Sequence, residues 1–130
     1  MTRKTGFLSH ELYMWHDTGS AAIFYPAGLK VQPGEHAENA ETKRRFRNVL
    51  EVSGLLDKLV DIRPRAATEE EILRVHTRDY VARIKALSAD RGGDAGETTP
   101  FGPGSYEIAL LSAGGAIALT DAVMTGKIDN

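Results

Sequence analysis

Cysteine is absent from the 130-residue chain, which removes disulfides, thiolate chemistry and cysteine-held zinc together. An intracellular protein is compatible with that. A secretory leader needs an apolar run behind its basic start, yet after Arg3 and Lys4 the pair Phe7-Leu8 gives way to His10 and Glu11. No window reads as the roughly 20 uninterrupted apolar residues of a membrane span. The expectation is a cytoplasmic protein with no membrane partner. Charge of one sign is also scarce, the formal net being -2. Beyond Arg91 the only basic residue is Lys127, against Asp94, Glu97, Glu107, Asp121 and Asp129, so that tail is a poor nucleic-acid surface. Repeats and low-complexity tracts are missing as well.

What is present is an ordinary globular composition, 42% hydrophobic and 26% charged. A chain of this length holds one domain at most. Its longest helical signal runs from Pro103 to Gly126. Ile108, Leu111, Ala116, Leu119 and Val123 recur at near-helical steps, and between Ile108 and Leu119 no residue is charged. Such a helix is expected to be buried on most of its circumference. Gly114-Gly115 would cost about 1 kcal/mol per glycine in a helix interior, and the usual return is close approach of another backbone.

The rest of the chain supplies short elements. A first strand is expected within Gly6–Ser9 and a loop after Leu12. Residues 14–35 hold Trp15, Phe24, Tyr25, two prolines and several glycines without a sustained period, and read as a long ordered loop with aromatic anchors. A helix is expected from Ala40 to Val52, with Phe46, Val49 and Leu50 inward and Lys43, Arg44, Arg45 and Arg47 mostly outward. Leu59–Ile62 reads as a second strand, stopped by Pro64. Thr68 and Glu71 have capping-box spacing, and Glu69 and Glu70 suit the first turn of a short helix. A further helix, Asp79–Ala89, presents Tyr80, Val81, Ile84 and Leu87. The glycines and prolines of residues 91–104 exclude a regular element there. Strand, helix, strand and helices make an α/β order with about two short strands, helix-rich and incomplete as a sheet. The pattern stops just past Gly126, where a further strand is expected, so residues 1–130 read as a single incomplete domain.

Candidate chemistry is sparse. His10, His16, His36 and His76 lack the four-apart spacing of a helical metal pair, so no metal site is expected. The Gly92–Pro100 loop has glycines suited to an anion nest, but Asp94 and Glu97 oppose an anion and no phosphate-loop lysine follows. A cationic or hydrogen-bond-donating ligand fits better; an ordinary solvated loop is the other reading. Lys43-Arg44-Arg45 is a solvated helix face or, with one arginine turned inward, a carboxylate receptor. Trp15, Phe24 and Tyr25 are loop anchors or ligand walls.

In order along the chain stand Thr5-Gly-Phe, Tyr13-Met-Trp-His-Asp-Thr-Gly19, His36-Ala-Glu-Asn-Ala-Glu-Thr-Lys-Arg-Arg45, Ser53-Gly-Leu55, Ala67 to Thr77 before Tyr80, Gly92 to Glu97, and Gly104-Ser-Tyr-Glu-Ile-Ala109 running into Ser112-Ala-Gly-Gly115. In this order they resemble the zinc-dependent histone deacetylase-like amidohydrolases, including the acetylpolyamine amidohydrolases, over nearly the whole chain. The resemblance implies the N-terminal segment of an open, mostly parallel α/β/α deacetylase-arginase-like fold. It implies metal-activated water attacking an N-acetyl amide of acetyl-lysine or an acetylpolyamine, with release of acetate and amine. The family's metal-binding and catalytic motifs find no match here, so no catalytic or metal residue is assigned to this chain, and zinc belongs to the parent family. Trp15 to Gly34 matches the first rim loop and Asp94 to Gly102 the second. Trp15, Phe24, Tyr25, Asp94 and Glu97 are therefore rim candidates, with the choice between the two acids open. Arg44 or Arg45 matches an inner-channel arginine, and His76 a structural position. Ala37 and Ala40 stand where the family often has prolines. Implied partners are the acetylated amine and either a further C-terminal portion or self-association covering Ile108–Leu119. A standalone oligomeric or structural protein is the alternative, and a small-molecule module using Asp94 and Glu97 a third reading.

Overall fold

A parallel ribbon forms where the two strands are expected, β1 (Gly6–Phe7) beside β5 (Val60–Asp61). The computed structural model describes residues 3–23, 25–28 and 30–130, with backbone alone at Ala22. On one edge of β1, the carbonyls of Thr5 and Phe7 accept from Val60 and Ile62 N–H, both at 2.9 Å. On the other edge Gly6 N–H donates to the Asn130 carbonyl at 2.7 Å, and Asp129 N–H donates to the Lys4 carbonyl at 2.8 Å. Neighbouring residues in a strand turn their backbone groups to opposite edges, so β1 lies between β5 and residues 129–130. Ile62, Ala122 and Ile128 make the core behind it, joined by Leu8, Val60, Ala118 and Leu119. Gly6 makes room for this cluster: a Cβ there would sit 2.4 Å from Ile128 Cδ1.

The long helix is α4, Ser105–Met124. Its glycine pair receives neighbours on one flank, as expected. A Cβ on Gly114 would lie 2.0 Å from the Arg65 carbonyl oxygen and 2.5 Å from Ala67 N, and one on Gly115 would lie 2.7 Å from the Tyr13 hydroxyl. Ala67 N–H donates to the Leu110 carbonyl at 2.8 Å, and Tyr13 Oη donates to the Leu111 carbonyl at 3.1 Å. The expectation of burial around most of the helix does not hold. Ala109, Ser112, Ala116 and Val123 are exposed, because the packed segments reach only the glycine side. By length and composition α4 is apolar enough to cross a membrane, which counting uninterrupted apolar residues missed because Ser112 and the glycines break the run.

The helix α1 (Glu41–Val52) begins and ends close to expectation, but of the three residues expected inward only Leu50 is half-buried, while Phe46 and Val49 turn outward with Val52. Phe46 is 61%, Val49 66% and Val52 88% exposed. The side that meets the body of the fold instead carries Arg44, held to Glu11 of the short 3-10 turn Glu11–Trp15. That turn, capped by His10 Nδ1 accepting from Leu12 N–H at 3.1 Å, stands where a loop was expected. The helix α2 (Glu69–Leu73) starts at the predicted capping box: Thr68 Oγ1 accepts from Glu71 N–H, and Glu71 Oε2 accepts from Thr68 N–H. Next comes α3 (Arg78–Ala89), which buries Val81 and Ser88.

Both loops contain short strands, where residues 14–35 were expected to be an ordered loop and residues 91–104 to exclude any regular element. Residues 14–35 include β2 (Ser20–Ala22), β3 (Tyr25–Pro26) and β4 (Gly34–Glu35), an antiparallel sheet ordered β3-β2-β4. Residues 91–104 include β6 (Gly93–Asp94) and β7 (Pro100–Phe101), an antiparallel hairpin. Very short strands carry no alternation to detect, and proline at a strand end is tolerated.

Candidate functional site

The two loops meet. Gly102 N–H donates to the Asp17 carbonyl at 2.8 Å, and a Cβ on Gly102 would sit 2.9 Å from Asp17 Cβ, so glycine is what lets the strands' ends close on one another. Beside this seam His16 Nδ1 lies 3.0 Å from Ser105 Oγ at the start of α4. Asp17 Oδ1 accepts from Gly19 N–H at 2.7 Å, turning the chain into β2. Thr18 Oγ1 donates to the Glu38 carbonyl at 2.7 Å, tying the first loop to the start of α1. There His36 is buried, its Nδ1 accepting from Glu38 N–H at 3.0 Å.

Two cavities open on either side of the seam. One, of about 410 Å³, lies between Tyr13, His16, His36 and Lys43 on one side and Thr98 to Pro100 on the other. The second, of about 270 Å³, lies under the β6–β7 hairpin against Tyr80, Val81, Ile84, Tyr106 and Leu110. His16 and Thr99 border both. A mostly apolar hollow with a few convergent polar groups is the usual form of a small-molecule site.

The hairpin distinguishes the two acids. Asp94 Oδ1 accepts from Gly96 N–H at 2.7 Å and from Thr99 N–H at 3.2 Å, so that carboxylate shapes its own turn. Glu97 stands at the tip, exposed, with φ +51°, followed by Thr98 at +66°. Non-glycine residues in the left-handed region are uncommon, and a β-branched one more so; here the Thr98 hydroxyl donates to the Glu97 carbonyl. Trp15 and Tyr25 are 65% and 73% exposed, flanking the first loop rather than lining either cavity. Phe24 lies outside the described residues.

Arg44 and Arg45 diverge. The Arg44 guanidinium meets Glu11 Oε1 at 3.2 Å and Glu41 Oε1 at 3.3 Å, and the Glu11 hydrogen bond, with its charge, raises its already high pKa further. Arg45 is exposed. Among the described residues, the α1 cation bordering the larger cavity is Lys43, 3.2 Å from Glu38. His76 stacks on Tyr80 with ring centroids 5.3 Å apart and borders the second cavity. Tyr13, under the larger cavity, has its phenol pKa raised by burial. Among the described residues no group of three or more His, Asp or Glu side chains is placed to hold a metal ion.

Sequence reasoning missed the seam and the tether of the hairpin to α3. Tyr80 and Arg83 sit three apart, on one helix face, and that spacing was a usable signal.

Residues 36–130 match the model of the histone deacetylase domain, and the chain belongs to that family. It is 50% identical over 133 aligned positions to a histone deacetylase-like amidohydrolase of Pseudomonas aeruginosa, covering all of this chain and 35% of that protein. It is 30% identical to a probable deacetylase of Archaeoglobus fulgidus, across 97% of this chain and 32% of the relative. The solved HDA15 HD domain superposes with a TM-score of 0.81 at 23% identity, covering 98% of this chain and 33% of that one, which establishes the fold. The chain thus spans about a third of the length of these proteins.

Proposed function

We propose that this chain is the N-terminal scaffold and substrate rim of a zinc-dependent deacetylase that hydrolyses N-acetyl amides of acetyl-lysine or acetylpolyamine type, and that residues 1–130 alone do not catalyse. The observation that carries the reading is the 50% identity over the whole chain to an amidohydrolase. The geometry supports the rim role: two loops joined at Asp17–Gly102 frame a cavity of about 410 Å³, and one of them lifts Glu97 to its tip. Its neighbour Thr98 lines that cavity, and an exposed carboxylate next to it attracts a cationic amine or accepts an amide N–H. The side chains of this stretch do not fit zinc, since no three potential ligands converge among the described residues. The chain's own part is to position and admit substrate.

Acetate release from an acetyl-lysine peptide and from N-acetylputrescine tests this. Turnover is expected from a polypeptide that joins this sequence to the remaining length of its relatives, and none above background from the 130-residue chain. Zinc-dependent turnover by the short chain, abolished by point substitutions within it, would overturn the proposed silence; no turnover by the longer one would overturn the activity.

A second reading, self-association of the chain in a structural role, is favoured by the outward stripe Phe46, Val49 and Val52 and by the exposed face of α4. Light scattering after size exclusion separates the two, a well-folded dimer supporting the second.

A further inference from the structure

The hairpin that carries Glu97 is fastened to α3 by a side-chain column with no part in the family chemistry described above. Arg83 donates from Nη1 to the Asp94 carbonyl at 3.0 Å and from Nη2 to the Ala95 carbonyl at 3.2 Å. Tyr80 Oη donates to the same Ala95 carbonyl at 3.4 Å. The Arg83 guanidinium lies over the Tyr80 ring, 5.5 Å from its centroid, and that ring stacks in turn on His76. The hairpin does little to satisfy these carbonyls itself. Ala95 N–H donates to the Thr99 carbonyl, so Asp94 and Pro100 face each other at a non-hydrogen-bonded position with the Asp94 carbonyl turned away from β7, and the Thr99 N–H is turned to the Asp94 carboxylate. A planar fork of donors anchored on a ring is suited to holding two successive carbonyls. The base of the hairpin is fixed separately, by Gly92 N–H donating to the Leu87 carbonyl at 2.9 Å. Beyond that base, towards the left-handed pair Glu97-Thr98, the hydrogen bonds that tie the hairpin to a helix among the described residues are those of Arg83 and Tyr80.

We infer that Arg83, with Tyr80, is a positioning residue that sets where the Glu97 carboxylate stands, and so governs capture of a cationic acetylated amine rather than its turnover. The inference rests on the rim function proposed above. Arg83 is not a catalytic residue, because it reaches backbone carbonyls and not the cavity. Freed from it, the tip samples many positions and the carboxylate is no longer held beside the cavity-lining Thr98, which weakens encounter and binding but leaves the reacting atoms alone.

Two measurements decide it. In the 130-residue chain, Arg83→Ala is expected to speed hydrogen exchange at the Ala95, Gly96 and Thr99 amides by about tenfold or more, with the α4 amides unchanged; Tyr80→Phe should give a smaller increase at the same amides, and Arg83→Lys should restore part of the protection. Wild-type exchange in the hairpin, or equal acceleration throughout α4, would refute the latch. In the longer polypeptide, Arg83→Ala should raise KM for N-acetylputrescine about tenfold while changing kcat by less than about twofold, with Arg83→Lys intermediate and a neutral N-acetyl amide little affected. A fall in kcat at constant KM, or an equal loss on the neutral amide, would overturn the role in capture. Absence of wild-type turnover would sink the deacetylase reading and the rim role with it, while the exchange result would still settle whether Arg83 holds the hairpin.

Discussion

Adding one methyl group at Gly114 should damage this fold, and adding the same group at Gly115 should not. At Gly114 the new Cβ would fall 2.0 Å from the Arg65 carbonyl oxygen, 2.5 Å from Ala67 N and 2.7 Å from the Ala66 carbonyl carbon. These are backbone atoms, and the segment that owns them is pinned by Ala67 N–H donating to the Leu110 carbonyl. Alanine gains about 1 kcal/mol over glycine in helix propensity. Against this, overpacking costs about 1–3 kcal/mol, and the displaced 65–67 segment forfeits a hydrogen bond worth about 1 kcal/mol. Gly114→Ala is therefore expected to be destabilising by about 1–3 kcal/mol net. At Gly115 the nearest atoms are the Tyr13 hydroxyl at 2.7 Å and the Leu8 methyls from 3.1 Å, ends of side chains that can swing aside. Its net effect should lie within about 1 kcal/mol of zero. Urea denaturation of both variants, read as a midpoint shift at unchanged slope, together with exchange at the Ala67 amide, measures the difference. Equal stability of the two variants, or a Gly114→Ala protein as stable as wild type, would refute the claim that α4 is docked through its backbone.

Three further outcomes are expected. The Glu71 pKa is lowered to about 2, first by the Arg65 hydrogen bond and then by the Thr68 N–H; a depressed carboxyl contributes stability present above its unfolded value of about 4.5 and lost as pH falls toward about 2, so Glu71→Gln should flatten the stability profile across that window in an acid titration monitored by circular dichroism. Thr98→Gly should raise the melting midpoint, because a left-handed β-branched residue costs about 1–2 kcal/mol that glycine avoids, and a lowered midpoint would argue against strain at the hairpin tip. Phe46→Gln should change unfolding free energy by less than about 0.5 kcal/mol, as its outward position requires, whereas a loss of about 3 kcal/mol or more, the cost of emptying a core aromatic site, would place it in a covered face.

Local chemistry was legible wherever a few neighbouring residues settle the outcome. The capping box at Thr68 and Glu71, the limits of α1 and α3, and the apolar face of Tyr80, Val81, Ile84 and Leu87 follow from spacing alone, and the structure keeps them. So does the purpose of Gly114-Gly115, since two glycines in an otherwise apolar helix have few explanations other than a close neighbour. The candidate site was legible only as two loops. That Asp94 spends a carboxylate oxygen on Gly96 and Thr99 while Glu97 is held out could not be read from Gly-Gly-Asp-Ala-Gly-Glu, because both acids are equally plausible in a flexible turn.

By itself, then, the amino-acid order determined where helices start and stop, the kinship with the deacetylase family, and the need of α4 for a backbone partner; caps, periodicity and motif order act over a few residues and survive any packing arrangement. Tertiary structure alone decided that Phe46 and Val49 of α1 face outward, that both loops pair into small sheets, and that Asp17 meets Gly102 beside His16 and Ser105. Those outcomes hang on contacts between segments many residues apart, where a side chain's fate is set by what arrives opposite it and not by its own neighbours in the chain.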